Sequence, residues 1–103
     1  MDVQLKKGIL YVCVHYAIEK GESYGYKIIS DLQGVMEISE STLYPILKRL
    51  EAGGYVTTRC AEYNGRLRRY YKITNSGVQK LLSGRADFQE INTIYRKLFM
   101  PNQ

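Results

Sequence analysis

The sequence predicts a mainly α fold of the α+β kind, with three helices, a β-hairpin and a long final helix in one compact unit. Three observations carry that prediction. Apolar residues recur at helical spacing through the first half of the chain. Two runs rich in β-branched residues then flank Asn64-Gly65, and a seven-residue repeat follows towards the end. At 103 residues, 45% of them apolar, the chain has enough for one modest core and too little for two.

The first helix is the least patterned. Lys6 and Lys7 precede an apolar run from Ile9 to Ile18. His15 interrupts the run and Glu19-Lys20 follows it in place of small residues, so a buried helix is expected rather than a signal peptide. The run is about ten residues, too short to span a bilayer. Leu5, Ile9, Val12 and Tyr16 share one face. Leu10, Val14, Ala17 and Ile18 widen it until the helix is apolar almost all round. Such a helix is central to the core or shared with a second subunit. Gly21 stops it.

Ser23 is expected to cap a second helix, with Ile28, Ile29 and Leu32 on its buried face and Gly25 on the same side, open to close packing. Gln33 to Ile38 reads as a connection. Ser39 or Ser41 caps a third helix, in which Leu43, Ile46, Leu47 and Leu50 recur at i, i+3, i+4 and i+7. Gly53-Gly54 ends it. Pro45 sits inside this helix and has no N–H, which leaves the Ser41 carbonyl without its usual partner. Its position near the helix start and on the outer face is where a proline disrupts least. A small rigid ring there also lets the helix lie close to another surface.

"YVTTRCA" (55 to 61) and "LRRYYKI" (67 to 73) read as strands around the Asn64-Gly65 hairpin signal. Tyr16, Tyr55 and Tyr71 are expected at core and strand positions. Thr74 caps a fourth helix. Leu81, Phe88 and Tyr95 then repeat every seven residues, as do Gly84, Ile91 and Leu98, an a/d seam of about two and a half heptads. Three helices with a hairpin wing make a winged helix-turn-helix over 1–73, and 74–103 is an added C-terminal helix for dimerisation.

The chemistry lies on two surfaces. With the leucine stripe of the third helix facing in, Ser41, Pro45, Lys48 and Ala52 face out. Tyr44 and Thr42 flank them, and Arg49 lies near Thr42. Hydroxyls bond bases or phosphates and lysine neutralises phosphate, so this face suits a DNA groove. The hairpin carries Arg59, Arg66, Arg68, Arg69 and Lys72 against the single acid Glu62, most of the chain's net charge of +5. Such a cluster at a turn beside a candidate recognition helix points to phosphate. Cys13 and Cys60 are expected as free thiols in a reducing cytoplasm. With one histidine they make no zinc site. His15 is expected to be packed or interfacial. No phosphate loop and no nucleophile–base set is spaced for catalysis, so neither an enzyme nor a cofactor is expected.

Three stretches make the chain resemble the PadR-like transcriptional regulators in their short form: "SYGYKI" (23 to 28), "STLYPILKRLEAGGYV" (41 to 56) and "NGRLRRYYKIT" (64 to 74) followed by Gly77. The match runs from about residue 4 to residue 77. The resemblance implies a cytoplasmic homodimer that binds double-stranded DNA, generally a repressor at a palindromic operator. It implies dimerisation through the last helix with help from the first, and in some relatives release by a small aromatic effector. It assigns DNA contact to Tyr24, Tyr26, Ser41, Thr42, Tyr44, Lys48, Arg66 and Arg68. The dimer interface then falls on Leu10, Val14, Leu81, Phe88, Ile91, Tyr95 and Leu98. Leu67 stands where such wings often carry proline, which leaves the wing tip less rigid. The chain has no tryptophan, so a tryptophan-built drug pocket does not carry over. A winged-helix module that docks protein, or a ligand sensor without strong DNA specificity, remains the alternative.

Overall fold

Asp2 starts the first helix: its carboxylate accepts from the Gln4 and Leu5 amides at 3.0 and 3.1 Å. The computed structural model describes residues 1–102, and Gln103, the last residue of the expected C-terminal segment, lies outside them. The elements follow in the predicted order: α1 Val3–Glu19, α2 Gly25–Leu32, α3 Glu40–Ala52, β1 Val56–Tyr63, β2 Arg66–Ile73 and α4 Asn75–Phe99.

One core joins α1, α2, α3 and the root of the hairpin. Its members include Ile18, Ile28, Leu32, Val56 and Tyr71, with all four residues of the α3 stripe. On α1 the buried face is Leu10, Val14, His15 and Ile18. Of the first face named from the sequence, Leu5 and Tyr16 are 52% and 51% exposed, and Val12 meets α4 rather than the core. An almost uniformly apolar helix gives no period from which to choose a side, and here α2 and α3 choose it. Leu10 and Val14, expected at a dimer interface, are 3% and 0% exposed within a single chain. Their surface is already used in the domain's own core. Tyr16 is likewise no core residue, whereas Tyr71 is buried and Tyr55 half-buried.

Ser23 does not cap α2. It is buried, its hydroxyl finds no partner among the described residues, and the N-cap is Tyr24 without a side-chain bond. The Ser23 backbone is occupied by β2 instead, donating to the Tyr71 carbonyl at 3.0 Å and accepting from its amide at 2.8 Å. That bridge makes β2 the middle of three adjacent chain segments at its base. Ser39 is the N-cap of α3, and its hydroxyl bonds those of Ser41 and Thr42. The helix runs unbroken through Pro45, which is exposed.

β1 and β2 pair antiparallel from Val56↔Ile73 to Tyr63↔Arg66. The two residues between, Asn64 and Gly65, have φ of 50° and 77°. Both lie in the left-handed region that a two-residue hairpin turn with this twist demands. Leu67 pairs with Glu62 in regular register near the tip.

Thr74 caps α4 as expected, accepting from the Gly77 amide at 3.0 Å, and also donates to the Gly54 carbonyl at 2.7 Å. The first turns of α4 lie against the domain. A Cβ on Gly77 would stand 2.1 Å from the Tyr55 carbonyl oxygen, so only glycine permits this approach. Gly84 lies close to Val12 of α1 less strictly, a Cβ there standing 3.0 Å from the Val12 side chain. Leu81, also expected at the dimer interface, is 8% exposed within a single chain. From Phe88 onwards the helix is bare. It projects from the domain and gives the molecule a long dimension of 58 Å against 26 and 21 Å. Among the described residues no helix is long and apolar enough to cross a membrane.

Candidate nucleic-acid interface

The outer face of α3, the start of α2 and the edge of β2 border one groove of about 1140 Å³. It brings together six of the eight expected contact residues: Tyr24, Tyr26, Tyr44, Lys48, Arg66 and Arg68. The other two lie apart. Ser41 is exposed on the first turn of α3. Thr42 looks into a separate cleft beside Lys6 and Lys7 of α1. Pro45 lines the main groove, its ring on the outer face as the helical wheel places it.

Gly25 explains how Tyr44 is held. A Cβ there would meet the Tyr44 hydroxyl at 2.8 Å, so the missing side chain lets the phenol lie over the start of α2. The expected close packing at Gly25 is therefore real, and its partner is a groove residue. Arg49 is not in the groove. Its guanidinium lies 4.8 Å from the Tyr11 ring centre, on the α1 side of the helix. A cation over a ring face is favourable, and α1 offers the ring.

The wing is less free than its composition implies. The Arg59 Nε donates to Glu22 at 2.7 Å, and Arg69 bonds Glu51 at 2.9 Å. The hydrogen bond from Arg59 holds the Glu22 carboxyl below its usual range. Glu51 also accepts from the Thr58 hydroxyl. Arg68 is half-buried, with its guanidinium 3.9 Å from the Tyr24 ring centre and 4.0 Å from that of Tyr63. Only Arg66 and Lys72 of the five wing cations have neither an acidic partner nor a ring over them among the described residues. The local excess of charge is real, but acids from α3 and from before α2 take up part of it.

Sequence reasoning missed Glu22, Glu51, Tyr63 and Tyr70. The Tyr63–Arg68 contact was accessible, because the Asn64-Gly65 register puts Tyr63, Arg66 and Arg68 on one face. The two acids were not, since they lie 37 and 18 positions from their arginines.

The remaining polar groups do not build a second site. His15 is packed, 1% exposed, between Tyr11 and Tyr55, and its Nε2 has no partner among the described residues. Burial pushes its imidazole below the usual histidine range, against a raising contact at the Gly77 backbone. Burial likewise pushes the half-buried Cys13 thiol up. Cys13 and Cys60 are both free. Among the described residues no group of His, Cys, Asp or Glu converges to hold a metal.

A family model described as Transcriptional regulator PadR-like family matches residues 14–83. Transcriptional regulator Rv3488 of Mycobacterium tuberculosis (strain ATCC 25618 / H37Rv) is 39% identical over 54 residues, 52% of this chain and 50% of that protein. The chain thus spans about half the length of this curated relative. Among solved structures, smu.1704 from Streptococcus mutans UA159 is 35% identical with a TM-score of 0.79, over 89% of this chain and 88% of that one. Bacillus subtilis PadR, solved in complex with operator DNA, is 29% identical with a TM-score of 0.67, over 73% of this chain and 46% of that one.

Proposed function

The chain belongs to the PadR-like family of transcriptional regulators, and from that premise we propose that it is a cytoplasmic, homodimeric repressor that binds a palindromic operator. The groove carries this reading. The outer face of α3 and the wing border a single open channel, with Lys48 and Arg66 as cations without acidic partners among the described residues. A helix of this width fits the major groove, where the Tyr44 hydroxyl and Lys48 reach base edges or phosphate. Arg66, beside the wing turn, neutralises phosphate, and the exposed Tyr26 supplies a further hydroxyl from α2. Ser41 and Thr42 sit at the start of α3, where hydroxyls and helix amides suit phosphate. The Bacillus subtilis relative on operator DNA supports the same use of the fold.

The far half of α4 carries the dimer. Phe88, Ile91, Tyr95 and Leu98 are exposed by 37 to 66% along one seam. Two-fold pairing of that seam covers it and sets two recognition helices against two half-sites. Sedimentation with DNA titration tests both parts, using fragments that the wild-type protein recovers from its own genome. Wild type should sediment as a dimer and bind. Ile91→Glu should sediment as a monomer, melt near wild type, and bind about tenfold or more weakly. A wild-type monomer, or a dimer that recovers no fragment, sinks the reading.

A further inference from the structure

The outward face of the wing carries a continuous ladder of stacked side chains. Arg68 lies between Tyr63 on one side, at 4.0 Å, and Tyr24 on the other, at 3.9 Å. Tyr24 meets Tyr70 edge-on, with ring centres 5.7 Å apart. Arg59 lies 4.6 Å over Tyr70 and ends on Glu22. Glu22 and Tyr24 belong to the segment that opens α2, and the other four belong to the hairpin. The ladder therefore straps the wing to the helix-turn-helix.

The strap matters because of what else holds the wing. At its root the hairpin is fixed by buried Val56 and Tyr71 and by the Ser23 bridge. On its other face Glu51 of α3 ties Thr58 and Arg69. Beyond these it is a two-stranded ribbon with an exposed tip, and such ribbons are marginal alone. The Arg68 sandwich sits in this outer half. It involves the faces of the guanidinium, and half-buried Tyr24 gives one ring face to it.

Resting on the proposed DNA-binding reading, we infer that Tyr24 is a positioning residue: its ring, stacked on Arg68, fixes the angle at which the wing presents Arg66 to DNA, and Tyr24 itself touches no DNA. The hydroxyl is thus dispensable and the ring is not.

Titrations on a mixed-sequence duplex at several salt concentrations test this, with melting followed for each variant. Tyr24→Phe keeps the ring and should bind with wild-type affinity and salt slope. Tyr24→Leu should lower the slope of log affinity against log salt by about 1–2 units, as Arg66 of two wings leaves phosphate. In an Arg66→Ala background, Tyr24→Leu should change the slope no further. Tyr63→Leu removes the exposed half of the sandwich without touching the core and should reproduce the slope loss, even if Tyr24→Leu folds poorly. Threefold or greater weakening by Tyr24→Phe overturns the inference, because the hydroxyl then contacts DNA. So does a full slope in Tyr63→Leu or in a folded Tyr24→Leu, or a slope loss that persists undiminished without Arg66. A wild type that binds no duplex removes the DNA reading and this inference together. A wild type that binds beside unchanged variants removes the inference alone.

Discussion

On α3, Ser41, Pro45, Lys48 and Ala52, which a helical wheel turns outward, and the flanking Thr42 and Tyr44 are all exposed, and three of the six, Tyr44, Pro45 and Lys48, line the groove. On the wing, of five cations that composition turns outward, two are bound to acids and one lies between two rings. The difference lies in what decides orientation. A helix with a clean apolar stripe orients itself, because any apolar partner will bury Leu43, Ile46, Leu47 and Leu50. A strand arginine has no such constraint. Its long side chain goes to whichever acid or ring the fold brings near. The outer face of α3 is thus defined by its own residues and the wing by its neighbours'.

The comparison is broken most directly on the helix, where the largest effect is expected. Tyr44→Ala and Lys48→Ala should each cost about 1–3 kcal/mol of specific binding if they read bases. Melting should stay near wild type, because both side chains are exposed. Normal binding by both variants would mean that the face is outward but idle.

The same contrast explains how much was legible beforehand. The element order, the α3 stripe, the hairpin turn at Asn64-Gly65 and the Thr74 cap each rest on local rules, and each is found. The buried side of α1 was not legible because Leu5, Ile9, Val12 and Tyr16 look as apolar as the set that is buried. Ser23 was misread because a good N-cap residue is also a residue that β2 can use through its backbone. Six of the eight residues expected to contact DNA line the groove. Which wing charges stay free depends on Glu22 and Glu51, and no local pattern announces them.

On the wing, Arg66 is the cation in the groove with neither an acid nor a ring over it among the described residues. Arg66→Ala should lower the salt slope by about 1–2 units in a dimer with two wings. It should weaken specific and mixed-sequence DNA alike, leaving the preference between them nearly intact. Loss of preference for particular sequences would make Arg66 a base reader, and the wing would then resemble the helix in kind.

The smallest expected effect sharpens the comparison furthest. Glu51 accepts from Arg69 at 2.9 and 3.1 Å and from Thr58 at 2.9 Å. Glu51→Gln retains a carbonyl acceptor for these donors, so the tie between α3 and the wing persists while its negative charge goes. The pair is largely exposed and screened by solvent, so melting should stay near wild type. Arg69 then carries an uncompensated charge at the groove edge. If neighbouring acids are what limit the wing, the salt slope on mixed-sequence DNA should steepen by about 1 unit. Affinity at low salt should rise while the preference for specific sites falls, since the added contact is to phosphate. An unchanged slope would show that Arg69 never reaches the backbone of the DNA, and that its pairing with Glu51 serves only to brace the wing against α3.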